Sequence, residues 1–118
     1  MTKRDSLYEQ YITERVNQSI LWKEFGFIIY KITDQECFIV DMFIQKSARQ
    51  TDAKREILDS ISRIAIQSQC KVLTGNIHLS DAGATHTLKA ALSYGFKVAK
   101  SGQDVLLIAK ELKEQNNG

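Results

Sequence analysis

The chain has no proline, only two cysteines, two histidines and one tryptophan among 118 residues. The lack of proline fits a compact order of elements, and no linker, internal repeat or low-complexity stretch appears. Cys37 and Cys70 lie far apart, without a C-x-x-C pair or adjoining histidines, which excludes a cysteine-based zinc or redox motif. Two reduced, part-buried thiols are expected instead of a disulfide. His78 and His86 have no cysteine pair near them, so no metal site is expected. No serine or cysteine stands in a nucleophile elbow. The longest apolar runs, such as Val105 to Ala109, fall far short of the ~20 residues that cross a bilayer. The start MTKRDSLYEQ has no apolar h-region, so a soluble cytoplasmic protein without membrane contact is expected. A formal charge of +2 is too small to argue for nucleic acid.

What is present is an average globular composition, 43% apolar and 25% charged, which predicts a single domain over residues 1–118 with a polar tail at 113–118 that frays. Ser6-Leu7-Tyr8-Glu9 has capping-box spacing, and Tyr8, Ile12 and Val16 follow at helical steps, so a first amphipathic helix is predicted from about Leu7 to Asn17. GFIIYKIT and CFIVDMFIQ, broken at Asp34-Gln35-Glu36, predict two strands in a hairpin. They are too apolar to leave one face in water, so helices are expected on both sides of the sheet. A second helix is predicted from Thr51 to Gln69, with Ile57, Ile61, Ile64 and Ala65 inward and Asp59 paired with Arg63.

KVLTGNIHL predicts a strand. After the polar loop SDAG, a third helix runs from Ala84 to Tyr94, with Ala84, Leu88, Ala91 and Leu92 inward and Gly95 as a left-handed cap. FKVAK, a Ser101-Gly102 turn and DVLLIAKEL close the chain as a hairpin. The order is helix, strand, strand, helix, strand, helix, strand, strand. Its strand-helix-strand crossover makes CFIVDMFIQ and KVLTGNIHL a parallel pair in a mixed sheet.

Around the second helix start, VDMFI leads into IQKSARQTDAKREILDSI, the outline of a strand-loop-helix anion site. With Gly83-Ala84-Thr85-His86-Thr87-Leu88-Lys89-Ala90 and Ser93-Tyr94-Gly95-Phe96 downstream, the chain resembles the GNAT superfamily of N-acetyltransferases, and in particular compact bacteriophage-encoded acetyltransferase-like proteins. The resemblance implies an α/β fold with a twisted mixed sheet, helices on both faces, a cleft where the parallel pair splays, and a shortened N-terminal part. It covers Phe25 to Leu112, and the residues before Phe25 suffice for one helix and little more, too few for the family's acceptor wall. A phage origin would place the protein in host cytoplasm or virion.

The family's diphosphate loop reads roughly Q/R-x-x-G-x-G/A, and in that register this chain has Arg49-Gln50-Thr51-Asp52-Ala53-Lys54. Gln50, Asp52 and Lys54 hold the glycine-favoured positions, and the Asp52 carboxylate is expected to repel an anion. Two readings stand side by side: a retained coenzyme A loop, with Phe43 and Ile44 of the strand holding the thioester, or a helix start capped internally through Ser47-x-x-Gln50. The family's tyrosine acid corresponds to Ala91 here, and Tyr94, one residue before Gly95, is read as packing. Asp41, Asn76 and His78 are the candidates for a base. Asn76 and His78 share a strand face, which is also what an ordinary polar strand face looks like. His86 is expected to be exposed.

Lys46, Arg49, Lys54 and Arg55 cluster without interleaved aromatics, so base stacking has no support; a solvated helix end or an anionic partner is the expectation, with this turn in or beside a protein contact of a larger assembly. The missing glycines, tyrosine and acceptor wall tip the balance toward a degenerate, non-catalytic binding or structural component needing no cofactor. The alternative is an active acyl-coenzyme A dependent N-acetyltransferase on a small amine or a protein amine, with acetyl-coenzyme A as donor.

Overall fold

The structure, a computed structural model, describes residues 3–113. Most of the tail expected to fray therefore lies outside the described residues. Helix α1 (Lys3–Tyr11) continues into a π-helical turn (Ile12–Val16) that Asn17 ends in the left-handed conformation, φ 57°. Strands β1 (Ser19–Lys23), β2 (Gly26–Thr33) and β3 (Glu36–Ile44) follow, then a 3-10 turn (Lys46–Ala48) and helix α2 (Ala53–Gln67). Strand β4 (Val72–His78), helix α3 (Ala84–Tyr94) and strands β5 (Lys97–Ser101) and β6 (Val105–Glu111) complete the fold.

One six-stranded sheet has the order β1-β2-β3-β4-β6-β5. The β3–β4 pair is parallel and the other pairs are antiparallel, so the crossover through α2 is formed as the sequence predicts. Strand β1 was not anticipated. It pairs along its whole length with β2, Ser19↔Tyr30 through Lys23↔Gly26, and five residues are too few for alternation to stand out in SILWK.

Two apolar clusters show how the faces are covered. On one face Ile57, Ile61 and Ala65 of α2, each fully buried, and Ala84 and Ala91 of α3 pack on Ile28, Cys37, Leu73, Ile77 and Ile108 of the sheet. On the other face Ile12 of the π-turn packs on Ile20 and Ile29, flanked by Trp22 and Phe27. Ile28 and Ile29 belong to different clusters because successive strand side chains alternate. Cys37 and Cys70 are free and buried.

Several local expectations need correction. The first helix starts at Lys3, so Ser6 lies inside it and caps nothing. Of its stripe, Ile12 docks but Tyr8 is exposed, and Val16 is outside the described side chains. Leu92 is 46% exposed, since Ala84, Leu88 and Ala91 already define the packed line of α3 and Phe96 fills the space beyond Gly95. Asp59 does not take Arg63: its carboxylate accepts the Tyr94 hydroxyl at 2.6 Å, while Arg63 donates to Ser60.

Candidate functional site

The parallel pair is joined only in its lower half. Glu36, Cys37, Phe38 and Ile39 pair with Val72, Leu73, Thr74 and Gly75, and above that level β3 and β4 part. A bulge sits at the parting point. Asp41 opposes Ile29 and Ile39 opposes Tyr30, so Val40 has no partner in β2. The extra residue re-phases the strand: Cys37 and Ile39 face the α2–α3 core, and above the bulge Met42 and Ile44 do so instead. Asp41 and Phe43 thereby turn to the opposite face, where Phe43 stacks on Phe27 at 5.8 Å and Phe27 meets Trp22 at 5.3 Å.

The same register fixes the backbone. Gln45 N–H donates to the Phe25 carbonyl at 2.7 Å, so residues 45, 43 and 41 turn their backbone groups toward β2. Met42 and Ile44 turn theirs into the gap. The Met42 N–H donates to Asp41 Oδ1 at 2.8 Å, and the Ile44 carbonyl accepts from Arg49 Nε at 2.9 Å. The Arg49 guanidinium also lies 5.8 Å from the centre of the Phe43 ring.

A cavity of about 850 Å³ occupies the gap and extends between α2 and α3. Asp41, Phe43, Ile44, Arg49, Lys54, Asn76 and His78 all contribute to its wall, and so does His86, exposed on α3. Residues that sequence reasoning missed are there too: Val40 and Met42 at the bulge, Leu58 of α2, and Gly83, left-handed at φ 81°, before α3. The bulge carries no glycine or proline to mark it.

Gln50, Asp52, Lys46 and Arg55 are not in that wall. Asp52 and Arg55 line a separate groove with Glu56 and Asp59, so the four clustered cations are divided: two at the cavity, one among carboxylates, and Lys46 exposed. The start of α2 is capped by Thr51, whose hydroxyl donates to the Ala48 carbonyl at 2.6 Å and accepts from Ala53 N–H at 3.2 Å. Ser47 lies inside the 3-10 turn and does not play the capping part expected of it, and Asp52 makes no side-chain cap.

At the end of α3, Ala91 is buried in the cavity wall and offers no proton. Gly95 adopts φ 119°, and its N–H and that of Phe96 close on the Ala91 carbonyl. Tyr94 points away from the cavity. Its hydroxyl bridges Asp59 and Ser62 of α2, and its ring lies beside Phe96 and under Lys110. Burial, then the hydrogen bond to Asp59, raises its pKa. Among the described residues no group of acidic, cysteine and histidine side chains is arranged to hold a metal.

No protein-family model matches the chain, and no curated protein matches its sequence. Solved structures do. The PaiA N-acetyltransferase of Thermoplasma acidophilum, in complex with coenzyme A, superposes with a TM-score of 0.73 at 15% identity, over 92% of this chain and 71% of that one. This is the GNAT acetyltransferase fold. A GNAT family acetyltransferase from Elizabethkingia anophelis with acetyl-coenzyme A bound gives 0.70 at 16% identity, over 94% and 84% of the two chains. A Bacillus subtilis acetyltransferase in complex with coenzyme A gives 0.69 at 15%, over 96% and 95%. At such identities the likeness establishes the GNAT architecture alone. Among the described residues no helix is long and apolar enough to cross a membrane.

Proposed function

We propose that this chain is a GNAT-fold binding protein that holds an acyl-coenzyme A type thioester in the gap between β3 and β4 and does not drive acyl transfer. The observation that carries this reading is the make-up of the cavity wall. Arg49 and Lys54 supply cations for an anionic ligand, and Met42 and Ile44 supply a strand edge for an extended one. The last turn of α3 contributes only Ala90 and Ala91, and Tyr94 is held on α2. Placement of Asp52 in the other groove supports retained binding, because the expected repulsion is moved out of the cavity. The coenzyme-bound structures that share the fold add support of the same kind.

Calorimetry with acetyl-coenzyme A, joined to a thiol-release assay over a panel of amines, tests it. Saturable binding without thiol release is expected. Amine-dependent thiol release would favour the second reading, an N-acetyltransferase working by positioning, for which the motive is that Asp41, Asn76 and His78 all line the one cavity. An anionic protein partner remains a further proposal, now centred on exposed Lys46, since Arg55 shares its groove with Asp52, Glu56 and Asp59. Equal partner recovery by wild-type and Lys46→Glu protein would remove it.

A further inference from the structure

The strand edge that should receive a ligand is already occupied by the chain itself. Above the bulge, Met42 and Ile44 are the β3 residues whose backbone groups face the gap, and β4 no longer pairs with them. A carboxylate holds the Met42 N–H and a guanidinium holds the Ile44 carbonyl. Both partners are charged, and charge-assisted hydrogen bonds are roughly twice as strong as neutral ones. A thioester carbonyl, a neutral acceptor, is the weaker rival for the same N–H.

We propose that Asp41 is an internal ligand of the cleft, seated on the donor that an acyl carbonyl would use, with Arg49 closing the neighbouring acceptor. The inference rests on the acyl-coenzyme A reading and adds a consequence specific to this chain. An acyl donor seats fully only by turning Asp41 away, so its acyl carbonyl gains almost nothing over what it displaces. The wild-type cleft therefore scarcely distinguishes acetyl-coenzyme A from coenzyme A. Asp41 is exposed and the bond spans adjacent residues, so the side chain can leave without disturbing the core.

The test is the ratio of the two affinities in wild type, Asp41→Asn and Asp41→Ala, by calorimetry. The ratio cancels the general gain that removing a negative charge gives to any anionic ligand. Near-equal affinities are expected in wild type, with a preference for acetyl-coenzyme A of roughly three- to tenfold in Asp41→Ala, the range of one net hydrogen bond, and a smaller one in Asp41→Asn. A several-fold preference already present in wild type, or an unchanged ratio in Asp41→Ala, overturns the proposal and leaves coenzyme binding standing. Absence of binding in every variant overturns both. The bond has its own readout, the amide resonance of Met42, which should move in Asp41→Ala and, in wild type, on addition of acetyl-coenzyme A. A Met42 amide indifferent to the Asp41→Ala substitution overturns the proposal whatever binds.

Discussion

The lower and upper halves of the β3–β4 pair are built from similar apolar segments and end in opposite states. Below the bulge, Cys37 and Leu73 sit side by side, both fully buried under α2, and Thr74 donates to Glu36 on the other face at 2.5 Å. At and above it, Val40 and Phe43 are 39% and 46% exposed, and the backbone groups of Met42 and Ile44 meet side chains instead of a neighbouring strand. One unpaired residue separates a closed sheet from an open cleft. Stability should therefore reside in the lower half and ligand chemistry in the upper.

The strongest way to break this contrast is to truncate the helix that seals the lower half. Ile61→Ala should cost about 2 to 5 kcal/mol in denaturant melts, because Ile61 is fully buried against the sheet. Val40→Ala in the upper half should cost less than about 1 kcal/mol, and so should Arg63→Ala, whose side chain donates to Ser60 on its own helix. Comparable losses at Ile61 and Val40 would mean that the gap is closed in solution.

Alkaline pH probes the same seal with a smaller effect near neutrality. Burial, with a contribution from Cys70, pushes the Cys37 thiol up to about 12 from its ordinary 9.0. The folded state then holds a proton that the unfolded chain gives up first, so this contribution is intact below pH 9 and is lost as pH rises from about 9 to about 12. The expected slope is roughly 1.4 kcal/mol per pH unit inside that window. Stability of the Cys37→Ala protein should fall less steeply over the same range. Parallel pH profiles for the two proteins would show that the thiol is not sealed.

Another substitution tests the tie between the two helices over the cleft. Tyr94→Phe removes the bonds to Asp59 and Ser62 while keeping the ring, and should cost roughly 1 kcal/mol. Coenzyme A affinity should stay within about twofold, a net change of no more than ~0.4 kcal/mol. A large loss of binding at unchanged stability would place Tyr94 in the ligand site.

Much of the lower half was legible in the sequence. The period of Ile57, Ile61 and Ala65, the hairpin turn at Asp34, and the crossover that makes β3 and β4 parallel are local patterns with one structural solution each. The upper half was not, for three physical reasons. The bulge at Val40 depends on register against β2, and no special residue announces it. The self-bonds of Asp41 and Arg49 depend on which backbone groups the bulge leaves facing the gap. The direction of the loop depends on Thr51 capping α2, which turns Asp52 away although Arg49 before it and Lys54 after it reach the cavity. The N-terminal helix was misjudged for another reason. Its apolar residues Leu7, Tyr8 and Tyr11 are exposed while Ile12 in the π-turn does the docking, so the stripe and the contact do not coincide.

The smallest expected effect is the one that best separates sequence register from structure. Read along the chain, Asp52 occupies a glycine-favoured position in a diphosphate loop, and removing its charge should strengthen binding of an anionic coenzyme. In the structure its groove is shared with Arg55, Glu56 and Asp59 and is distinct from the cavity that Arg49 and Lys54 line. Screening at physiological ionic strength acts over about 8 Å, so an exposed charge outside the cavity has little hold on a ligand inside it. Asp52→Asn should leave coenzyme A affinity within about twofold of wild type, whereas Lys54→Ala should weaken it more and steepen no salt dependence. The measurement is a pair of calorimetric titrations at two salt concentrations. A gain of tenfold or more in Asp52→Asn, disappearing at high salt, would mean that the ligand's charge passes over the start of α2 and that the division of the cations between cavity and groove is wrong.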